Sequence, residues 1–513
     1  MKYRILEEYA DMLEKEGLLI SYDGGYARDA GMDVQIKDIS YNSILCGEGT
    51  LFICKGANFK SQYLSDAIEK GAVGFVCSSD FDEIDRFKNI PHLVVGDMRR
   101  AISKISAMYF DRSWDRGLKL VGLTGTKGKS TTATMIKSIL DVHCGREVGF
   151  SSGIYTYDGK QREKARKLTT PETIELHRIL DGCVRNDCKY LVMEVSSQAL
   201  KYDRTLDLKF EVCGFLNISE DHISGAEHKD MEDYFTSKLL IFRQSRIACI
   251  NSDMDQEYLA RVLEAARQEC DEVVTFGFVQ DADVKGLSVE EVPGKIILKV
   301  RFFFNNKVCE DIFTVNIGGK YNASNALMAI AAALKLGVPV NTIKRGLEQV
   351  KVAGRMELYT IPEKSVDIIV DCAHNKMSYE ALFEYVRNHY PERKVGFLFG
   401  CVGDKAFNRR REAGEIADKN ADFVVITERD PGKEDVNKIC NEILDNMKHK
   451  EKARIITDRD CAVNAMLETA EKMENCVVIL AGCGSDAYVK RGNTFVEFAT
   501  DGERVQKYLE ERS

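Results

Sequence analysis

Glycines alternating with lysines mark the sharpest chemical feature of the chain: Gly122-Leu123-Thr124-Gly125-Thr126-Lys127-Gly128-Lys129-Ser130-Thr131. The stretch follows strand-like Leu118-Lys119-Leu120 and precedes a helical periodicity that runs to Leu140. Gly122…Gly128-Lys129-Ser130 has the Walker A spacing, and the flanking strand and helix are the context that motif requires. Glycines let the backbone wrap a phosphate, and a helix N-terminus favours its negative charge. Lys129 can reach the terminal phosphates, and the Ser130 hydroxyl can ligate Mg²⁺. A nucleotide is therefore expected on Gly125, Thr126, Lys127, Gly128, Lys129, Ser130 and Thr131. Its use stays open, because GTPases, kinases and ligases share this loop.

Three further groups follow apolar runs. Glu194 ends Tyr190-Leu191-Val192-Met193. A carboxylate there sits in the crevice where α/β proteins bind ligands. It reads either as a Mg²⁺ ligand or as a strand-end surface carboxylate. His222 closes Phe215-Leu216-Asn217-Ile218-Ser219-Glu220-Asp221-His222. It is a nitrogen-ligand candidate, although Mg²⁺ prefers oxygen and a lone histidine is more often structural. Lys238 lies in an amphipathic stretch from Asp233 to Phe242 and by itself reads as a solvated lysine.

The elements that must position these groups alternate. Strand-like runs at Leu93-Val94-Val95, 118–123, 190–193, 368–370, 395–399, 423–426 and 477–480 are separated by helical spacings such as 323–336. That alternation predicts an α/β chain with mainly parallel sheets. The 513 residues suggest three domains at roughly 150 residues each. Boundaries are expected near the polar stretch Ser113-Trp114-Asp115-Arg116 and near Lys351-Val352-Ala353-Gly354. The segments are then 1–116, 117–352 and 353–513.

Seventy-two basic against 81 acidic side chains leave a net charge of −9, which argues against a nucleic-acid binder with a broadly basic surface. Sixteen scattered cysteines without a C-x-x-C pair give no zinc spacing and fit reduced core thiols. The first eight residues read as an amphipathic helix without a signal-peptide core. The sequence has no apolar run long enough, about 18 residues, to suggest a membrane span. A cytoplasmic monomer is expected, with no nucleic-acid or membrane partner.

The order of motifs carries more than any one of them. Gly125–Thr131, Thr169-Thr170-Pro171, Glu194-Val195-Ser196-Ser197, Asn217…Asp221-His222, Tyr234-Phe235…Lys238, Asn322…Asn325, Gly354-Arg355-Met356-Glu357 and Asp371-Cys372-Ala373-His374-Asn375 follow one another. The chain resembles the Mur ligase family over nearly its whole length, most closely its MurE branch of UDP-N-acetylmuramoyl-dipeptide:amino-acid ligases. The resemblance implies three α/β domains. The first holds the UDP end of the substrate. The central phosphate-loop domain holds ATP. The Rossmann-like third domain holds the incoming amino acid.

The resemblance also implies a carbamate on Lys238, formed with CO₂, and metal binding by Ser130, Glu194, His222 and Lys238. It implies nucleotide contacts at Asn322, Asn325, Arg355 and Asp371. The implied reaction is ATP-dependent amide formation through an acyl-phosphate, in peptidoglycan precursor synthesis. A paralogue with another acceptor peptide or amino acid is the alternative.

By the same resemblance Ser43 contacts the UDP moiety, with Asn42 and Ile44 where the family has aspartate and arginine. Thr169, Thr170, Ser196 and Arg204 match positions on the muramoyl peptide. Members that add diaminopimelate carry Asp-Asn-Pro-Arg, whose arginine grips the distal carboxylate. Here the segment reads Arg429-Asp430-Pro431-Gly432, which disfavours that substrate, while residues 221–228 and 427–431 resemble the lysine-adding branch and so imply L-lysine, with ornithine or another amine behind it. Asp430, Pro431, Gly482 and Asp486 then fall at the amino-acid site, with Asp430 or Asp486 available to an ammonium. Arg410 matches an arginine for the α-carboxylate, unless Arg409-Arg410-Arg411 is a solvated basic face.

Overall fold

The structure, a computed structural model, describes residues 3–23, 31–56, 59–164, 168–220, 227–278, 281–305, 307–485 and 487–512. The chain divides into two compact units. One comprises Met1–Lys129, Cys144–Glu163 and Leu168–Val274; the other comprises Ser130–His143, Lys164–Lys167 and Thr275–Ser513.

The first unit holds two larger sheets and one short strand pair. The N-terminal sheet runs, edge to edge, Leu19–Asp23, His92–Val95, Ala72–Ser78, Thr50–Ile53 and Asp38–Ser40. Only Leu19–Asp23 is antiparallel to its neighbour. The expected N-terminal helix begins later, at Leu6, because Arg4–Ile5 is extended and pairs with Gln35–Ile36. At the expected boundary, Trp114 is buried in a short turn with its ring 4.9 Å from His177. The stretch is therefore packed inside the first unit, although its polar neighbours hide that in the sequence.

The second sheet of this unit carries the phosphate loop. Lys119–Thr124 lies between Tyr190–Glu194 and Phe210–Phe215 and is parallel to both. Gly149–Ser151 extends one side and Ser245–Asn251 the other. Register places Leu123 beside Glu194 and Thr124 beside Phe215. The C-terminal ends of three strands thus meet, where an open parallel sheet binds its ligands.

In the second unit, Val284–Val292, Lys295–Phe304 and Lys307–Val315 form an antiparallel trio. This trio departs from the expected mainly parallel pattern. Ile296, Leu298, Val300 and Phe302 are buried while Lys295, Lys299, Arg301 and Phe303 are exposed, the alternation of a sheet with one wet face. Asn322–Lys335 buries Ala323 and all eight residues from Ala326 to Ala333, so this helix is enclosed on several sides.

The last sheet runs Glu357–Ile361, Val366–Asp371, Cys476–Ala481, Lys394–Phe399, Phe423–Ile426 and Ala453–Ile455. It is parallel from the second strand onward. Leu398 joins the core under helices Arg459–Met473 and Asp501–Glu510. Phe397 and Phe399 instead meet Tyr379 and Phe383 of helix Lys376–His389. Burial on both faces explains why this strand reads as an unbroken apolar run.

Arg459 and Asp501 are wholly buried and joined twice, at 2.7 and 2.6 Å. Arg459 also donates to the carbonyls of Glu428 and Ala481. One guanidinium therefore fixes two helix starts and the backbone just before Arg429-Asp430-Pro431-Gly432 and Gly482-Cys483-Gly484. Asp501→Ala leaves a buried charge uncompensated and is expected to cost about 3–5 kcal/mol in urea unfolding, with Arg459→Met/Asp501→Leu recovering most of it.

Candidate functional site

The phosphate loop is built by close approach. A Cβ at Gly122 would lie 2.7 Å from the Phe210 ring, and one at Gly125 would lie 2.9 Å from Leu216 Cβ. Gly125 and Gly128 adopt φ of +150° and +87°, which side chains rarely tolerate. Gly128 then opens helix Lys129–Cys144, and no side chain caps that first turn. Its amides are directed as an anion site requires.

Residues outside the loop fix its shape. Asn217 Oδ1 accepts from Thr126 N at 3.0 Å and from Lys127 N at 2.8 Å, while its Nδ2 donates to Lys127 O. Tyr234 donates its hydroxyl to Thr126 Oγ1 at 3.2 Å, and Ser219 N donates to the same oxygen. Lys129 folds back, Nζ donating to Gly125 O at 2.9 Å and to Thr126 O at 3.2 Å. Lys238 reaches that same Gly125 oxygen at 3.0 Å.

Lys238 is only 1% exposed and lies 4.4 Å from the Tyr234 ring centroid. Its reading as a solvated lysine is corrected here. In helix Met231–Leu239 the buried residues are Tyr234, Phe235, Ser237 and Lys238, and the i, i+4 spacing puts Lys238 on the face of Tyr234. Glu194 is likewise 1% exposed, which excludes the surface-carboxylate alternative. Its Oε1 accepts from Gly153 N at 2.9 Å. His222 lies outside the described residues. Among the described residues no three His, Cys, Asp or Glu side chains gather as a metal cage.

Beside Glu194, Thr170 Oγ1 donates to the Glu194 carbonyl and accepts from Ser196 N, at 3.0 and 2.9 Å. Ser196 in turn caps helix Ser197–Lys201. Buried Arg204 pairs with Glu172 at 2.7 Å and reaches toward Thr170 O. Glu172 also binds Lys55, which lies 4.8 Å from the Tyr41 ring centroid. Thr170, Arg204 and Ser196 are thus brought together, and half-buried Thr169 is adjacent. Ser43 is buried and its carbonyl accepts from Lys70. Asn42 Oδ1 accepts from Ile44 N, a cap that aspartate could also provide, while Ile44 is 76% exposed.

The second unit carries its own sets. Thr132 donates to Asn325 Oδ1 at 3.2 Å, Asn325 to Asn322 Oδ1 at 2.9 Å, and Asn322 to Gly318 O at 2.7 Å. The Asp371 carboxylate accepts from Met356 N and Ala373 N, at 2.9 and 2.8 Å. Burial raises the pKa of Asp371, and Arg355 opposes that shift.

Arg410 is 2% exposed, so it does not belong to a solvated face. Its terminal nitrogens serve Glu434 at 2.8 Å, Glu442 at 2.6 Å and the Val402 carbonyl. Those contacts make it an internal strut in this conformation. Asp430 Oδ1 accepts from Lys490 N at 2.8 Å, and its carbonyl accepts from Gly403 N beside buried Pro431. Gly482 has φ +104°, and its carbonyl accepts from Arg429 Nε. Asp486 lies outside the described residues.

The sequence expectation did not identify Asn217, Tyr234, Gly153 or Glu172 as site residues. Asn217 had a usable signal, as the second residue past an apolar strand beside the loop strand. Glu172 had none, since its partners Lys55 and Arg204 are distant in sequence.

The family profile for the Mur ligase middle domain matches residues 123–333, and that for the Mur ligase glutamate ligase domain matches residues 354–484. The chain is 32% identical to an Enterococcus faecalis protein named UDP-N-acetylmuramoyl-L-alanyl-D-glutamate--L-lysine ligase, over 98% of each chain. It is 34% identical to a Streptococcus pneumoniae protein of the same name, over 94% of this chain and 95% of the relative. Its fold matches the solved structure of UDP-N-acetylmuramoyl-L-alanyl-D-glutamate--2,6-diaminopimelate ligase with a TM-score of 0.66, at 18% identity, over 100% of this chain and 99% of that one.

Asn217→Ala removes the acceptor shared by two loop amides. Calorimetric titration with a non-hydrolysable ATP analogue is expected to show Kd raised about tenfold, or about 1.4 kcal/mol. Asn217→Asp keeps the acceptor and loses only the donor, so a smaller rise is expected.

Proposed function

The chain belongs to the Mur ligase family, and on that premise we propose that it joins L-lysine to UDP-N-acetylmuramoyl-L-alanyl-D-glutamate at the expense of ATP, in cytoplasmic peptidoglycan precursor synthesis. The observation that carries the chemistry is the convergence of Lys129 and Lys238 on Gly125 O, with the buried Glu194 carboxylate at the end of the adjacent strand. Residues 1–116 take the UDP end, 117–352 take ATP and 353–513 take lysine.

A carboxylate is a poor electrophile because oxide is a poor leaving group. Transfer of the γ-phosphoryl from ATP to that carboxylate gives an acyl-phosphate and ADP. Lys129 and the amides of Thr126–Thr131 stabilise charge on the phosphoryl in flight. The lysine amine then attacks the acyl carbon, and the tetrahedral intermediate expels phosphate to leave the amide. Ser43, Thr169, Thr170, Ser196 and Arg204 hold the acceptor. Asn322, Asn325, Arg355 and Asp371 serve the nucleotide.

Lys238 suits a cation site only once its charge is reversed. Its amine bonds the carbon of CO₂ and releases a proton, leaving a carbamate anion. Ser130, Glu194, His222 and that carbamate would hold Mg²⁺, an oxygen-rich set suited to a hard ion. The ion would supply charge neutralisation at the phosphates. Glu194 fits this role because it is buried and one of its oxygens is oriented by Gly153 N.

Gly432 supports lysine over diaminopimelate. It stands where diaminopimelate-adding members carry arginine, its φ is +60°, and a Cβ there would collide with the Asp404 carboxylate. Asp430 or Asp486 would pair with the ε-ammonium. Exposed Ile44, in place of the family's arginine, favours the alternative of a different acceptor.

Phosphate release from ATP is expected to require both UDP-N-acetylmuramoyl-L-alanyl-D-glutamate and lysine, with kcat/KM for diaminopimelate at least tenfold lower. Turnover with no amino acid while ATP still binds would overturn the reading. Lys238→Ala is expected to lose activity that bicarbonate does not restore; a fully active variant would refute the carbamate.

A further inference from the structure

One fully buried histidine has no part in the reaction derived above. His228 is 0% exposed. Its Nε2 lies 2.9 Å from Ser197 Oγ, its Nδ1 faces Asp233 Oδ2 at 3.4 Å, and its ring meets Tyr234 at a centroid distance of 5.2 Å. Burial lowers the imidazole's pKa, against the pull of Asp233, so the ring is neutral at neutral pH. A neutral imidazole donates from one nitrogen and accepts at the other. The hydrogen bond from Lys201 holds Asp233 below the usual carboxylate range, so that carboxylate is ionised. Nε2 is hydrogen-bonded to the Ser197 hydroxyl, while Nδ1 faces the Asp233 carboxylate across 3.4 Å without a hydrogen bond.

The two partners belong to the two segments that carry reaction groups. Ser197 opens the short helix three residues after Glu194. Asp233 lies in the first turn of the helix that bears Tyr234 and Lys238. We infer that His228 is a positioning residue for the ligation: it sets the Glu194 segment and the Lys238 helix against each other, and with them the two side chains that flank the phosphate loop. The ion pair of Lys201 with Asp233, at 2.6 Å, joins the same two helices independently. Loss of the imidazole therefore leaves the fold tied and loosens the geometry. Supporting groups of this kind act by restricting the side chains that do the chemistry.

The inference rests on the ligase reading, so wild-type turnover with lysine is measured in the same assay. His228→Ala is expected to lower kcat at least tenfold, with the ATP Kd within twofold and both substrate KM values within threefold of wild type. His228→Gln, which keeps a polar group near the Nε2 position, is expected to recover part of the loss. Ser197→Ala is expected to lower kcat three- to tenfold, and His228→Ala/Ser197→Ala to fall no lower than His228→Ala alone, as residues acting through one contact must. An active wild type with a folded His228→Ala of kcat within twofold overturns this inference and leaves the ligase reading intact. If His228→Ala does not fold, Ser197→Ala decides, and full activity in that variant overturns the inference. A wild type that binds ATP and turns over no amino acid overturns both.

Discussion

The carbonyl oxygen of Gly125 accepts from Lys129 at 2.9 Å and from Lys238 at 3.0 Å, and much of the first unit is arranged around that shared contact. Two ammonium groups on one oxygen repel each other in a buried setting, where charge interactions are strong. The loop is also tied by other contacts. Asn217 fixes Thr126 and Lys127, and Tyr234 with Ser219 fixes the Thr126 hydroxyl. A bound phosphate would take Lys129 out of that contact. A carbamate would turn the Lys238 end from repulsive to attractive. The loop is thus shaped by its own contacts.

Buried polar networks pin the irregular backbone elsewhere too. Thr170 gathers Glu194 O and Ser196 N. Asp371 gathers Met356 N and Ala373 N. Arg459 gathers Asp501 and two carbonyls. In each case a side chain satisfies backbone groups that no helix or sheet can serve. An unsatisfied buried group costs about 1–3 kcal/mol, so each network also selects one loop conformation. The segments expected to meet substrate are therefore rigid at their bases.

The segments around Gly432 and Gly482 show how a local backbone can limit which side chains fit. Gly432 and Gly482 lie at positive φ, and their neighbours Asp404 and Arg429 occupy the space that side chains would fill. A long cationic side chain cannot be accommodated at Gly432 without displacing Asp404. Arg410, buried between Glu434 and Glu442, braces the same region.

By itself the sequence determined the kind of fold and placed the glycine-rich turn at 122–131 between a strand and a helix. Both follow from local rules: apolar runs set strands, 3.6-residue spacing sets helices, and glycines at fixed intervals set the loop. The ordered motifs also identified the family. What only the tertiary structure decided is which polar groups are buried and whom they serve. Lys238 reads as solvated along the chain, yet Gly125, 113 residues earlier, is its hydrogen-bond partner. Asn217 and Thr126 meet across 91 residues, and Glu172 joins Arg204 to Lys55. The antiparallel trio was equally silent, because its alternation becomes a sheet only when the strands pair. Such contacts depend on the sheet order and register that bring distant strand ends together, and a linear pattern does not contain them.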